Sequence, residues 1–164
     1  MKLEIRRAMP QDLEPVLQWR GHSEAMKTAL AAEFAAQAFG ERTILIAFDP
    51  LERQIGTIQL VRNHHDPDLT NAHSVYLQAL DVRDAYRGHG VGTALIRALE
   101  SQAKLMGFPR VTLMVEPDNA PALALYKKLG FQWFKRAFDV WDAQTYPVDC
   151  FEKNLDGTTT SDTF

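Results

Sequence analysis

A glycine-rich segment between a strand pattern and a helix pattern constrains this chain more than any other feature. The segment, 87–93, reads Arg-Gly-His-Gly-Val-Gly-Thr, with glycine at every second position. Residues 73–82 before it form a strand-like run, and residues 90–106 carry apolar side chains at helical spacing. Glycines let backbone N–H groups approach a ligand closely, and a helix N-terminus adds partial positive charge. The segment predicts an anion site for phosphate or pyrophosphate, with Arg87 adding a charge-assisted contact.

Two better-known glycine loops do not fit this segment. A Rossmann fingerprint counted from Gly88 would need glycine where Thr93 stands. A P-loop would need lysine directly before that threonine, and Gly92 occupies the position. A plain glycine-rich turn without a ligand remains an alternative at this stage.

The order of strand and helix patterns predicts an α/β or α+β fold with one mixed sheet. The predicted strands cover 2–7, 43–48, 54–62, 73–82, 110–116, 131–138 and 146–154, and the predicted helices cover 11–20, 23–38, 90–106 and 120–129. No internal repeat or linker interrupts them, so we expect one domain over 1–155. Residues 156–164 show no periodicity and are expected to be a disordered tail.

Composition excludes several classes of protein. A net charge of -3 argues against nucleic-acid binding through bulk positive charge. No apolar run is long enough to span a membrane, and the N-terminus lacks the apolar core of a signal peptide. The single cysteine, Cys150, cannot form an internal disulfide, which suits a reducing compartment. We therefore expect a cytoplasmic protein that binds neither nucleic acid nor membrane.

A second segment, 119–131, reads N-A-P-A-L-A-L-Y-K-K-L-G-F. As structure it predicts a helix capped by Asn119, with Tyr126 on its apolar stripe and Gly130 at its end. This interpretation alone assigns no function to the segment.

The two segments together resemble the GNAT (Gcn5-related N-acetyltransferase) superfamily. R-G-H-G-V-G matches that family's Arg/Gln-x-x-Gly-x-Gly/Ala motif, and the segment 119–131 looks like its second conserved block. The order of elements is similar from residue 2 to about 155. The resemblance implies a mixed sheet of about seven strands with about four helices, in which a splayed strand pair binds acetyl-CoA.

The resemblance also implies roles for individual residues. Backbone amides would bind the acetyl-CoA pyrophosphate, and a strand edge would pair with the pantetheine arm of acetyl-CoA. An asparagine would lie near the pantetheine arm, and a tyrosine would protonate the leaving thiolate. These positions are Gly88, His89, Gly90, Val91, Gly92 and Thr93 for pyrophosphate, Leu80, Asp81 and Val82 for pantetheine, then Asn119 and Tyr126. The implied reaction is direct attack of a primary amine on the thioester, without a metal.

The group that removes the amine proton is less clearly marked. Relatives often use a glutamate on one of the two splayed strands. Strict alternation would place Val82, Leu80, Gln78 and Tyr76 on one face of the strand 73–82, and none is a carboxylate. Glu116, at the end of the strand 110–116, is the candidate base, with a solvated strand end as its alternative. A water chain held by His73 and Tyr76 is another.

The loop His64-His65-Asp66-Pro67-Asp68 has metal-ligand residue types, but a loose polar loop would not fix them, so no metal is expected. Aromatic and acidic side chains of the first two helices and the last strands suit a cationic amine. They are Trp19, Phe34, Phe39, Trp133, Phe134, Trp141 and Tyr146, with Glu24, Glu33, Asp139 and Asp142.

The expected partners are an amine acceptor, either a small molecule or a peptide or protein amine, and a second copy in a homodimer. The rival function is a domain that senses acyl-CoA without turnover.

Overall fold

The computed structural model describes residues 1–155. Its strands are β1 (Glu4–Arg7), β2 (Arg42–Phe48), β3 (Gln54–Val61), β4 (Ser74–Val82), β5 (Arg110–Val115), β6 (Gln132–Trp141) and β7 (Gln144–Asn154). Its helices are α1 (Leu13–Arg20), α2 (Glu24–Ala36), α3 (Val91–Leu105) and α4 (Ala120–Lys128). The described part of the chain therefore has the predicted element order.

One seven-stranded mixed sheet organises these residues, in the order β1-β2-β3-β4-β5-β7-β6. β4 and β5 form its parallel pair, and the other neighbouring strands are antiparallel. The predicted fold class is confirmed. Within residues 1–155, no helix is both long enough and apolar enough to cross a membrane.

Helices cover both faces of the sheet. The larger core cluster joins α3 and α4 to the sheet, and it includes the buried Val91, Leu95 and Leu99 of the predicted α3 stripe. A second cluster joins α1 and α2 to β2, with Val16 and Leu30 at its centre. The sheet thus separates an α3/α4 face from an α1/α2 face.

The hairpin formed by the last two strands differs from the prediction. The β6–β7 hairpin is longer than expected, because its strands continue to Trp141 and resume at Gln144. The two turn residues, Asp142 and Ala143, have positive φ angles of 52° and 61°. Primed hairpin turns favour asparagine, aspartate or glycine first and glycine second, so Asp142 fits but Ala143 does not, and the sequence signal of this turn is weak. The predicted disordered tail lies outside the described residues.

The loop between β3 and β4 is anchored, which corrects the prediction of a loose segment. Leu69 is fully buried and its carbonyl accepts a hydrogen bond from the Thr112 hydroxyl at 2.7 Å. Lys135 forms ion pairs with Asp66 at 2.7 Å and Asp68 at 3.0 Å. These contacts fasten the loop to β5 and β6.

Candidate active site

The parallel pair β4 and β5 opens into a cavity. Cα partners run from Ser74 and Arg110 to Tyr76 and Thr112, and beyond these pairs the strands separate. A cavity of about 730 Å³ lies at the opening. Residues of β4, β5, α4 and the β6–β7 hairpin line it, so it connects both faces of the sheet.

A β-bulge in β4 changes which side chains face the cavity. Thr57 pairs with Asp81 and Gln59 pairs with Gln78, so Ala79 and Leu80 together lie opposite a single residue of β3. Ala79 has a φ of 56°, a conformation that is uncommon for residues other than glycine. Such a bulge shifts the alternation of side chains by one residue.

The expectation of strict alternation along β4 is therefore wrong. Tyr76 and Gln78 lie on the α1/α2 face together with Asp81, whereas Leu80 and Val82 pack with the α3/α4 core. The Val82 and Leu80 side chains come within 3.9 and 4.0 Å of where a Cβ on Gly92 would lie. Two of the three residues expected to contact pantetheine, Leu80 and Val82, thus lie beside the start of α3, and Asp81 faces the other side of the sheet.

The glycine segment has the conformation that an anion site needs. Gly88 and Gly90 have φ angles of 78° and 82°, and no atom lies within 4 Å of a Cβ built at either position. α3 begins directly afterwards at Val91, and it is fifteen residues long. Its first N–H groups, including those of Gly92 and Thr93, have no partner within the helix. The loop therefore combines open backbone with the positive end of a long helix.

Arg87 and His89 flank this loop. The Arg87 Nε donates to the Val82 carbonyl at 3.0 Å, and its guanidinium lies 3.3 Å from Asp84 and 3.7 Å from Asp81. The His89 Nδ1 lies 2.9 Å from the Arg87 carbonyl, with its ring exposed. Both side chains are thus on the surface beside the helix start, and Arg87 is held by acids.

Asn119 and Tyr126 both line the cavity from the α4 side. The Asn119 Oδ1 caps α4 by accepting from the Ala122 N–H at 3.2 Å, as predicted. Tyr126 is 8% exposed, and its ring meets that of Phe131 edge-on with 5.7 Å between centroids. Burial raises the pKa of Tyr126 to about 12, so the hydroxyl stays protonated at neutral pH.

Tyr76 reaches the cavity from the α1/α2 face and is only 5% exposed. Burial raises its pKa, and the charge of Asp139 raises it further. Neither Tyr76 nor Tyr126 has a hydrogen bond from its hydroxyl to another residue in 1–155, yet no fully buried polar side-chain atom there lacks a partner. Both hydroxyls are therefore open to the cavity, available to a ligand.

Of the residues expected to take part in proton removal, the structure brings Glu116 and Tyr76 to the cavity but not His73. Glu116 lies at the cavity rim and is exposed. His73 is exposed at the opposite end of β4 and does not line the cavity. His64 instead packs on Tyr76, with ring centroids 4.8 Å apart, and its Nδ1 accepts from the Asp66 N–H. Burial and the neighbouring His65 lower the pKa of His64.

The acceptor residues expected from the sequence divide into two groups. Asp139, Trp141 and Tyr146 of the hairpin line the cavity. The others lie elsewhere: Phe34 is buried in the cluster that α1 and α2 form with β2, Trp133 is 55% exposed and donates its indole N–H to Asp149, and Phe39 is 81% exposed. No cluster of three or more potential metal ligands occurs in residues 1–155.

Known structures share this fold. The chain matches Arabidopsis thaliana NAA60 in complex with acetyl-CoA, with a TM-score of 0.75 and 21% identity, over 95% of this chain and 100% of that one. It matches a Staphylococcus aureus acetyltransferase of the GNAT family with a TM-score of 0.75 and 16% identity, over 94% and 100% of the two chains. At these identities the comparison shows the fold alone.

The family follows from the sequence itself. Residues 8–131 match the Acetyltransferase (GNAT) family, and the chain belongs to that family. A mycothiol acetyltransferase of Corynebacterium glutamicum is 42% identical over 67 residues, which cover 41% of this chain. The chain spans about a fifth (21%) of the length of that relative.

Proposed function

We propose that the protein is an N-acetyltransferase that moves the acetyl group of acetyl-CoA to a primary amine. The observation that carries the proposal is the opening between β4 and β5, which lies beside the glycine loop at the start of α3. Two unpartnered tyrosine hydroxyls face this opening. Residues 1–155 would act as one domain. Cytoplasmic location and the homodimer stay predictions.

Acetyl-CoA would lie along the diverging edge of β4. The Arg83 N–H donates to the Ile55 carbonyl of β3 at 2.9 Å. Because alternate amides of a strand point to opposite edges, the Val82 N–H is directed towards the opening. Pantetheine could pair with this edge over Leu80, Asp81 and Val82, as a peptide does in β-augmentation. The pyrophosphate would then reach the amides of 88–93.

The chemistry needs no nucleophilic side chain. The neutral amine attacks the thioester carbon, a C–N bond forms, and a tetrahedral intermediate results. A backbone N–H at Leu80 or Val82 would stabilise the developing oxyanion. When the C–S bond breaks, CoA leaves as a thiolate that Tyr126 can protonate, since burial keeps its hydroxyl protonated. We assign proton removal from the amine to Glu116 acting through water.

A panel of amines with acetyl-CoA, monitored for free thiol, tests the proposal. Amine-dependent thiol release would support an enzyme. If acetyl-CoA binds but no amine increases the release of thiol, the domain is a sensor of acyl-CoA, which is the rival function. A panel with NAD or ATP in thermal-shift experiments adds a control, because either ligand should stabilise the protein less than acetyl-CoA does.

A further inference from the structure

We propose that the acceptor is an amine with no carboxylate beside its amino group, and that free α-amino acids are excluded. The inference rests on the proposed function and names the substrate class of the same cavity. Three features carry it: the charges of the cavity wall, the orientation of Gln78, and the surfaces that Tyr76 and the hairpin present.

The charged side chains that line the cavity are both negative. Glu116 and Asp139 are among them, and none of the sixteen lining residues is lysine, arginine or histidine. One carboxylate oxygen of Asp139 accepts a hydrogen bond from the Val140 N–H at 3.0 Å. The second oxygen is left for a ligand. A carboxylate on the acceptor would face these charges, whereas an ammonium group would be attracted.

Three basic side chains of neighbouring elements are already committed to acidic or carbonyl partners. Lys135 is held by Asp66 and Asp68. Arg20 pairs with Asp81 at 3.3 Å. Arg42 donates to the side-chain carbonyl of Gln59. A carboxylate entering the cavity would therefore lose its water without gaining a cationic partner.

A chain of three side chains fixes which atom Gln78 offers to the cavity. The Arg42 guanidinium can only donate, and the Glu33 carboxylate can only accept. Gln59, buried between them, must therefore accept from Arg42 with its Oε1 and donate its Nε2 to Glu33, at 2.7 Å.

Gln78 continues this chain into the cavity. Its Nε2 donates to the Gln59 Oε1 at 3.4 Å. This bond uses one of the two Nε2 N–H groups and fixes the orientation of the amide, so the Gln78 Oε1 has no partner in residues 1–155 at the cavity that this residue lines. That oxygen accepts hydrogen bonds and suits an amine N–H, but it would repel a carboxylate. Gln78 is thus a specificity-determining residue in this proposal.

The remaining walls suit a cation. Tyr76 is nine-tenths buried, lines the cavity and has no hydroxyl partner in residues 1–155. Across the opening, Asp139 is the Cα partner of Tyr146 in the hairpin, and Trp141 follows on the same face. An ammonium group between a carboxylate and aromatic rings gains both charge attraction and cation–π contact.

Matched pairs of ligands test the inference. Leucine, phenylalanine and alanine would each be compared with the corresponding amide, which keeps the side chain and replaces the carboxylate. Binding to the CoA-saturated protein would be measured by calorimetry near neutral pH, where the amines of both ligands are mainly protonated. Turnover would be measured separately with acetyl-CoA. We expect at least one amide to bind about 10-fold or more tightly than its amino acid.

Two variants locate the cause. Asp139→Asn should reduce the preference for the amide by about 3-fold or more, because it removes charge from the wall. Asp142→Asn removes the same charge from the exposed hairpin turn, outside the cavity lining. It should leave the preference for the amide unchanged.

The outcomes separate this inference from the proposed function. Tighter binding of the amides would support the inference even without thiol release, whereas absence of thiol release with every amine of the panel would contradict the N-acetyltransferase. Amino acids that bind as tightly as their amides would overturn the inference, whether or not they are acetylated. Failure of every amide to bind would also overturn it.

Discussion

Tyr76 and Thr112 are the last Cα partners that β4 and β5 share before the two strands separate. Thr112 is fully buried, and its hydroxyl lies 2.7 Å from the Leu69 carbonyl and 3.3 Å from the Val75 carbonyl. β5 is therefore fixed at the point where the opening begins. Tyr76, the Cα partner of Thr112, places a hydroxyl without a hydrogen bond at the inner end of the cavity. The pairing of β4 with β5 therefore ends at the residues where the candidate site begins.

The glycine loop yields the first prediction. Gly90→Asp should lower the affinity for CoA by about 100-fold, because the carboxylate would face the pyrophosphate. A side chain at this positive φ is strained, but aspartate adopts such a φ more readily than most residues and no atom obstructs it, so the domain should stay folded.

Gly107→Asp is the matched control. Gly107 has a φ of 87° and equally open surroundings, but it follows the other end of α3. Its CoA affinity by calorimetry should equal that of the wild type. Equal affinities of Gly90→Asp and wild type, with both folded, would show that the pyrophosphate binds elsewhere.

The Tyr126 hydroxyl yields the second prediction. Tyr126→Phe keeps the edge-on contact with Phe131 and removes only the group proposed to protonate the thiolate. Steady-state kcat should fall by roughly 10- to 1,000-fold while CoA affinity is nearly unchanged. An unchanged kcat, with chemistry shown to limit turnover by single-turnover kinetics, would make Tyr126 a packing residue.

The third prediction concerns Glu116. If it removes the amine proton through water, Glu116→Gln should lower the rate by about 10²-fold or more and alter the acidic limb of the kcat/KM profile. Asp118→Asn, an exposed neighbour outside the cavity lining, is the control and should leave both unchanged. If Glu116→Gln keeps the wild-type rate and pH profile, Glu116 does not remove the amine proton, and Tyr76 and His64 become the candidates for that role.

The fourth prediction concerns the stability of the loop before α3. Asp49 accepts hydrogen bonds from the Leu51 and Arg53 amides, the Arg53 side chain and the Tyr86 hydroxyl. Burial alone would raise the pKa of Asp49, but these hydrogen bonds outweigh it and lower the pKa to about 2. Through Tyr86, this carboxylate ties the β2–β3 turn to the segment that leads into the glycine loop.

The sign of the pH effect follows from that pKa. A folded-state pKa below the ordinary 3.8 means that ionised Asp49 stabilises the fold above about pH 4. This contribution is lost as the pH falls towards about 2. In urea unfolding, the free-energy difference between wild type and Asp49→Asn should therefore shrink across this window. A difference that is independent of pH there would contradict the prediction.

Local signals in the sequence predicted the frame of the site. The glycines at 88 and 90 mark the turn into α3, and the spacing of Val91, Leu95 and Leu99 marks its buried face. These features depend on neighbours within one or two helical turns, which a single sequence displays directly.

The bulge and the polar chain could not be predicted in the same way. Ala79 adopts a positive φ although it is not glycine, so the shift of side chains in β4 has no local signal. Glu33, Gln59 and Gln78 come from three elements that only the folded sheet brings together. The orientation of Gln78 depends on tertiary contacts, as does the cavity wall that the long hairpin supplies.

Transfer of an isotopically labelled acetyl group tests the central claim most directly. The wild-type protein would be incubated with labelled acetyl-CoA and an amine panel that includes amino acid amides, and the products would be analysed by mass spectrometry. We expect the label on the nitrogen of at least one amine, with free CoA formed in equal amount, and loss of both in Gly90→Asp. If the wild-type protein binds acetyl-CoA but no amine in the panel acquires the label, the account is contradicted.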